Sequence, residues 1–192
     1  MARPRMIVVA GPPGSGKTRS FPVSAFGIDG FNIDDRCAQI LGSYRAIPRE
    51  VRRAVAKECE RFVLDHIERA LSFAVEATLR TSAAIDQAGL AQRSGFVADM
   101  QFVATDSIAE NVARVLQRAQ AGGHGASERE IRAIHHASIA NLAMAIDSFA
   151  RVRIYDSTAR WSPPRLVAVA RAGRVVRHGA TPAWLEAVLG GR

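Results

Sequence analysis

The chain has 192 residues, of which 48% are hydrophobic, and a formal net charge of +8. This length suits one domain with a substantial core. The composition excludes collagen-like and low-complexity classes, and no apolar run approaches the ~20 residues that cross a bilayer. Two cysteines, Cys37 and Cys59, are too few and too isolated for a disulfide framework, so we expect a reduced, cytoplasmic protein.

The positive charge is carried almost entirely by arginine, because only Lys17 and Lys57 are lysines. A basic protein suggests nucleic-acid binding, but these arginines are scattered along the chain and not massed in one segment. The preference for arginine over lysine, together with the abundance of alanine, is typical of a biased genome composition. We therefore predict that most arginines are solvated, that some face nucleotide phosphates, and that nucleic acid is not a partner.

Short apolar runs alternate with longer helical stretches, a pattern that predicts a mostly parallel sheet covered by helices on both faces. The predicted strands are RMIVVA, GFNID, SFAVEA, FVADMQFVA and RVRIYDS, followed by a hairpin in RLVAVARAGRVVRHG. The predicted helices are a short one from Gly16, then 48–71, 83–94, 108–120, 128–146 and 181–190. No segment is long enough to be a linker, so we expect a single domain over 1–192.

The stretch GPPGSGKT follows the first predicted strand and satisfies the phosphate-binding pattern G-x-x-x-x-G-K-[S/T]. Glycines let consecutive backbone N–H groups turn towards phosphate oxygens, and the following helix offers its positive end. Lys17 would reach the outer phosphates and Thr18 would offer its hydroxyl to Mg²⁺. The predicted ligands are therefore ATP and Mg²⁺, held by Gly11, Pro12, Pro13, Gly14, Ser15, Gly16, Lys17 and Thr18.

Carboxylates stand where two of the predicted strands end. Asp34 ends the second strand, where small-molecule kinases with such a core place the acceptor of the substrate's hydroxyl proton. Its neighbour Asp35 is an alternative, and a turn-forming or helix-capping role for Asp34 stays open. Glu76 comes with Thr78 and Arg80 at the edge where open α/β sheets bind ligands, which makes the three of them candidate substrate-binding residues.

A lid is predicted over about 114–135. Arg114 and Arg118 lie four residues apart on one predicted helix, Arg129 and Arg132 begin the next, and the glycine-rich run AGGHGA separates them. Two arginine-bearing helices on such a hinge can close over a nucleotide, exclude water and neutralise charge on a transferred phosphoryl group. We assign Arg114 to nucleotide binding and Arg118 and Arg132 to catalysis.

The runs GPPGSGKT, NIDD, EATLRT, GGH…EREIR…SIANL and IYDST together resemble the zeta-toxin-like kinases, over about residues 6–158. The resemblance implies an α/β, P-loop kinase-like fold of three α/β/α layers, with a mostly parallel central sheet, a helical lid and a C-terminal hairpin plus helix. It implies a kinase that transfers phosphate from ATP to a hydroxyl of UDP-N-acetylglucosamine, and an antitoxin protein as partner.

Residue by residue, the resemblance makes Asp34 the catalytic base and lets Glu76 and Thr78 hold the sugar nucleotide. Arg118 and Arg132 best match the family's lid arginines. The run DDRCAQILGSYRAIP lacks the Phe-Arg and His-Pro elements that follow the base in zeta toxins. Two alternatives stay open: a kinase of another hydroxyl, such as an antibiotic, a nucleoside or a nucleic-acid 5′ end, and a non-catalytic ATP-binding regulatory module.

Overall fold

The structure is a computed structural model that describes residues 2–120, 126–159 and 162–191. Among these residues are seven strands, seven α-helices and one short 3₁₀ helix, Val23–Phe26. The strands are β1 (Arg5–Ala10), β2 (Asp29–Phe31), β3 (Phe73–Ala77), β4 (Val97–Ala104), β5 (Arg151–Asp156), β6 (Arg165–Arg171) and β7 (Arg174–Arg177). The helices are α1 (Lys17–Ser20), α2 (Ile33–Leu41), α3 (Arg49–Glu68), α4 (Ala83–Arg93), α5 (Ile108–Gln120), α6 (Glu128–Ser148) and α7 (Ala183–Gly190).

All seven strands form one sheet in the order β2-β3-β1-β4-β5-β6-β7. The first five are parallel, and β6 and β7 complete the sheet as the antiparallel hairpin that the sequence predicts. Parallel strands direct their carboxyl ends to one edge of the sheet, which is the ligand-binding edge of open α/β folds. The register places Val9 beside Glu76, so this carboxylate lies next to the start of the glycine loop.

One face of the sheet forms the main hydrophobic core with α3, α4, α6 and α7. Alternate strand residues such as Met6, Phe73 and Ile154 point into this core, and Leu142 and Leu185 reach it from α6 and α7. Strand side chains alternate between faces, so the other face carries the intervening residues. The α/β class with a mostly parallel sheet is therefore confirmed.

Helix α2 was not predicted, and the position of Asp34 at the end of a strand is wrong. Strand β2 already ends at Phe31, and the side-chain oxygen of Asn32 accepts hydrogen bonds from the backbone N–H groups of Asp34 and Asp35. Asparagine in this capping position starts a helix by satisfying otherwise unpaired donors. Asp34 therefore lies in the first turn of α2, while still at the same edge of the sheet.

Helices α5 and α6, which contain the predicted lid arginines, begin where predicted. The hydroxyl of Ser107 accepts from the backbone N–H of Glu110, and Ser127 and Glu130 form a complete capping box. The glycine-rich hinge predicted between the two helices falls largely on residues 121–125, which lie outside the described residues. None of the helices described has the length and apolar content that crossing a membrane requires.

Candidate active site

The glycine loop between β1 and α1 takes a shape that side chains would prevent. Gly11 has φ +142°, and a Cβ there would lie 2.0 Å from the carbonyl oxygen of Val103. Gly14 has φ +78°, and its Cβ would lie 2.5 Å from the carbonyl oxygen of Asn111. Gly16, at φ +80°, faces open space. The first two glycines thus let the loop pack against β4 and α5, and the third leaves room at the start of α1.

The lysine of the loop makes an ion pair inside the site. Lys17 Nζ lies 3.5 Å from Glu76 Oε1, and the two side chains are only 10% and 9% exposed. The other carboxylate oxygen of Glu76 accepts from Asn32 Nδ2 at 3.1 Å. Glu76 thereby links the glycine loop on β1, the end of β3 and the start of α2. Its partners in this structure are protein groups that lie next to the phosphate cradle.

The first turn of α2 presents two carboxylates, each held by a residue that sequence analysis did not identify. Arg52 of α3 donates from Nη1 to Asp34 Oδ1 at 2.9 Å. The hydroxyl of Tyr44 donates to Asp35 Oδ1 at 3.0 Å, and this hydrogen bond is the largest cause of the raised pKa of Tyr44. Both carboxylates line the same cleft as the glycine loop.

Arg114 of α5 is fixed against the loop by several hydrogen bonds. Its guanidinium contacts Glu110 at 2.9 Å, the carbonyl oxygen of Gly14 at 3.5 Å and the carbonyl oxygen of Ser157 at 3.1 Å. Arg118, one turn further along α5, lines the same cleft. These two predicted arginines therefore lie where a nucleotide on the glycine loop would meet them.

A buried polar pair lies behind the loop, between α5 and α6. Asn111 is fully buried, and its Nδ2 donates to His135 Nδ1 at 3.0 Å, which places the proton of a neutral imidazole on Nε2. Burial lowers the pKa of His135, and the nearby His136 lowers it further. Because Asn111 also contacts the loop through Gly14, this pair ties the packing of the two helices to the cradle.

The glycine loop, α1, the start of α2, and α5 enclose a cleft of about 1210 Å³. A space of this size accommodates a nucleotide together with a second substrate. The segment that follows β5 forms another wall of the cleft. There the Ser157 hydroxyl donates to the carbonyl oxygens of Ser15 and Ala104 at 2.7 and 3.1 Å. The described residues lining it are Gly14, Ser15, Gly16, Lys17, Thr18, Arg19, Ser20, Phe21, Asn32, Asp34, Asp35, Tyr44, Arg114, Gln117, Arg118, Ser157, Ala159, Ser162, Pro163 and Pro164.

Seven of the predicted site residues are not among the described residues that line the cleft. Of these, Gly11, Pro12 and Pro13 belong to the glycine loop itself, and Glu76 pairs with Lys17. The other three are Thr78, Arg80 and Arg132. Thr78 accepts through its carbonyl oxygen from the hydroxyl of Ser138 on α6. Arg80 is exposed. Arg132 pairs with Glu128 one turn earlier on α6 at 2.7 Å, and both side chains are about half exposed. The structure therefore brings together the loop residues, Asp34, Glu76, Arg114 and Arg118, and leaves these three outside.

Sequence reasoning missed Asn32, Tyr44, Arg52 and Ser157. Asn32 carries a readable signal, because an asparagine followed by two aspartates is a typical helix start. Ser157 stands in the IYDST run, which contributed to the family resemblance only. Tyr44 and Arg52 carry no such signal, since their contacts depend on how the segment after α2 and the helix α3 fold back over the cleft.

No known protein-family profile and no curated protein matches the sequence, but solved structures match its fold. The AvrRxo1-ORF1:AvrRxo1-ORF2 complex with sulphate ions contains a match with a TM-score of 0.71 and 18% identity, over 93% of this chain and 62% of that chain. The same complex with ATP gives 0.71 and 17%, over 92% and 61%. The PezAT toxin–antitoxin system of Streptococcus pneumoniae gives 0.59 and 18%, over 82% and 69%.

These similarities confirm the predicted resemblance at the level of the fold, which is that of a P-loop kinase. The chain spans about three fifths of the length of the AvrRxo1 chains that it matches. At such low identity the similarity concerns the fold alone and establishes no activity, substrate or partner for this chain.

Proposed function

We propose that this chain is an ATP-dependent phosphotransferase that moves the γ-phosphate to a hydroxyl group of a small molecule. One observation carries the proposal: the cleft that contains the glycine loop and Lys17 is also lined by Asp34, Arg114 and Arg118. A protein that only binds a nucleotide needs the loop alone. A carboxylate beside the cradle, on a separate element, is what proton removal from an acceptor hydroxyl requires.

The residues present fit ATP and Mg²⁺. Gly11, Gly14 and Gly16 hold backbone conformations that side chains rarely adopt, and the space at Gly16 is open at the start of α1. Thr18 offers a hydroxyl and Asp35 offers a carboxylate oxygen, the ligand type that Mg²⁺ prefers. When bound, Mg²⁺ would neutralise charge on the phosphate oxygens. Solved AvrRxo1 structures include one with ATP, which agrees with this assignment.

In the proposed reaction, Asp34 takes the proton of the acceptor hydroxyl. The acceptor oxygen forms a bond to the γ-phosphorus, the bond between that phosphorus and the β–γ bridging oxygen breaks, and ADP leaves. Arg52 donates to Asp34 Oδ1 and so orients the carboxylate. Lys17, Arg114 and Arg118 are the cations that would stabilise charge on the transferred group.

The packing between α5 and the start of α6 supports the proposed lid. Val112 and Val115 of α5 pack against Ile131 of α6 in a small cluster of their own, distinct from the main core. A unit that buries its own apolar residues can move with few losses elsewhere. We propose that Arg114 contacts the loop before the cleft closes, that closure brings Arg118 towards the nucleotide, and that Arg132 joins them only in that closed state.

For the acceptor we propose a UDP-sugar such as UDP-N-acetylglucosamine, on the strength of the sequence resemblance. The test incubates the protein with ATP, Mg²⁺ and a panel of hydroxyl compounds, and detects phosphorylated products by mass spectrometry. The panel contains UDP-sugars, nucleosides, aminoglycosides and 5′-hydroxyl oligonucleotides. A new phosphate on a UDP-sugar supports the proposal, whereas labelling of an oligonucleotide alone would replace it with a polynucleotide kinase.

Toxicity and an antitoxin partner are proposed on the same resemblance. Expression of the wild-type chain in bacteria should slow growth, and the Lys17→Ala variant should not, because it lacks the phosphate-binding amine. Equal growth of both cultures at equal protein levels would count against a toxin. The PezAT and AvrRxo1 structures are both of two-component assemblies, which makes a protein partner worth testing here.

A further inference from the structure

At β5, β6 and β7, helices pack against one face of the sheet more extensively than against the other. Helix α6 contacts β5 and β6, and its Leu142 and Ile146 meet Ile154 and Ala168 in the main core. On the opposite face, Phe21 at the end of α1 packs against Tyr155 near the carboxyl end of β5. Towards the amino end of β5, and beside it on β6 and β7, the residues of this face are half-buried or exposed. Side chains on that face point outwards from a backbone that the sheet holds rigid.

Strand register gathers arginines on this open face. Arg151 on β5 pairs with Arg171 on β6, which pairs with Arg174 on β7, so the three form one row across the sheet. With strands ~4.8 Å apart, the row spans about 10 Å. The next row on the same face consists of Arg153, Val169 and Val176. We call these six residues the arginine face.

The protein itself neutralises only part of this charge. Asp99, whose side chain is 2% exposed, accepts from Arg151 at 2.6 Å and also from Arg5 at 3.1 Å. No acidic side chain among the described residues pairs with Arg153, Arg171 or Arg174. Arg5 and Arg151 thus share one buried carboxylate, and beside them Arg171 and Arg174 are exposed and Arg153 is half-buried.

On strand β7, an arginine of the covered face has an acidic partner, whereas the arginine of the open face has none among the described residues. Arg177 lies on the opposite side of β7 from Arg174 and Val176, and there Glu186 of α7 contacts it at 3.2 Å. The bond to Arg177 is the main reason that the pKa of Glu186 is lowered. On the covered face a helix supplies the acid, and on the open face Arg174 has no equivalent partner among the described residues.

Apolar side chains interrupt the arginines. Val176 is 61% exposed and Val169, beside it in the row, is half-buried. Nucleic acid would engage the arginines through phosphates and leave the valines uncovered. A protein segment with carboxylates and an apolar side chain would cover both kinds of residue, as interface cores commonly do.

We propose that the arginine face binds an acidic, amphipathic segment of a partner protein. Carboxylates of the segment pair with Arg153, Arg171 and Arg174, and an apolar side chain packs over Val169 and Val176. The cleft lies at the carboxyl edge of the strands, whereas the row from Arg151 lies near the opposite end of β5. The proposal is therefore independent of the proposed kinase activity.

The test measures fluorescence anisotropy of two labelled probes with the whole chain. One is a short synthetic peptide with glutamate and leucine at helical spacing, and the other is an oligothymidine of matched charge. The double variant Arg171→Glu/Arg174→Glu is compared with Arg61→Glu/Arg93→Glu, which makes the same change in net charge at exposed arginines elsewhere. A third variant, Val176→Ser, tests the apolar contact.

We expect the peptide to bind more weakly by about tenfold or more to the first double variant, to keep its affinity for the control, and to lose affinity with salt. Val176→Ser should weaken the peptide by severalfold and leave oligothymidine unchanged. Tighter binding of oligothymidine through the same arginines would replace the protein partner with nucleic acid. Equal peptide binding by both double variants, with unfolding temperatures unchanged, would overturn the proposal.

Discussion

Replacing Glu76 with glutamine should strengthen ATP binding in the absence of Mg²⁺. In the structure Glu76 holds Lys17 at 3.5 Å in a nearly buried ion pair, and ATP phosphates must compete with this carboxylate for the same ammonium group. At an effective dielectric constant of about 20, two unit charges at this distance attract by about 5 kcal/mol. The desolvation of both ions offsets most of that.

We therefore expect Glu76→Gln to change the binding free energy of ATP by about 1 to 1.5 kcal/mol, which corresponds to about a tenfold decrease in the Kd for ATP. Isothermal titration calorimetry with ATP and EDTA measures it directly. Glu60→Gln on the exposed surface of α3 removes the same charge away from the cleft and serves as the control. Lys17→Ala, alone and combined with Glu76→Gln, shows whether the gain acts through the lysine.

Whether ATP affinity rises or stays the same in Glu76→Gln distinguishes two roles for Glu76. If Glu76 only holds the acceptor, as the sequence resemblance implies, Glu76→Gln leaves ATP affinity unchanged. If the ion pair restrains Lys17, affinity rises in Glu76→Gln and the rise vanishes in the Lys17→Ala background. A fall in ATP affinity, or a gain equal to that of Glu60→Gln, would refute the competition argument.

Three further predictions concern a positioning residue, the glycine loop and a buried histidine. Arg52→Ala should lower kcat by roughly 10- to 100-fold, by releasing the carboxylate of Asp34, while ATP affinity in calorimetry stays the same. Gly11→Ala should prevent stable folding, because its Cβ would lie 2.0 Å from a backbone oxygen, whereas Gly16→Ala should cost only ~1 to 2 kcal/mol in urea unfolding for its positive φ. Burial lowers the pKa of His135 in the folded protein. Below the usual pKa of imidazole, the unfolded chain therefore binds a proton at this residue more readily than the folded protein does, and acid favours unfolding. The wild type should therefore lose stability faster than His135→Gln as the pH falls below about 6.5, by at most about 1.4 kcal/mol per pH unit.

Local sequence signals predicted much of the architecture. The glycine pattern, the capping box of Ser127 and Glu130, and the hairpin turn between β6 and β7 each depend on a few adjacent residues. Each of these features is present in the structure. The run GFNID predicts one continuous strand and so hides the start of helix α2, although Asn32 is a strong helix-capping residue.

Features that depend on distant contacts could not be predicted. The partner of Asp34 lies 18 residues away on α3, and the pairing of Lys17 with Glu76 depends on β1 lying beside β3. The scattered arginines were interpreted as separate solvated charges. Strand register then collects Arg151, Arg171 and Arg174 in one row, which no local pattern in the sequence indicates.

The transfer of labelled γ-phosphate from ATP to a hydroxyl acceptor, by wild type and by Asp34→Asn, tests the central claim most directly. The substitution keeps the size of the side chain and removes its capacity to take a proton. We expect Asp34→Asn to bind ATP with unchanged affinity and to lose product formation by about 10²-fold or more. Undiminished transfer by Asp34→Asn would contradict the assignment of this carboxylate as the base, and no transfer by the wild type to any hydroxyl acceptor would contradict the kinase itself.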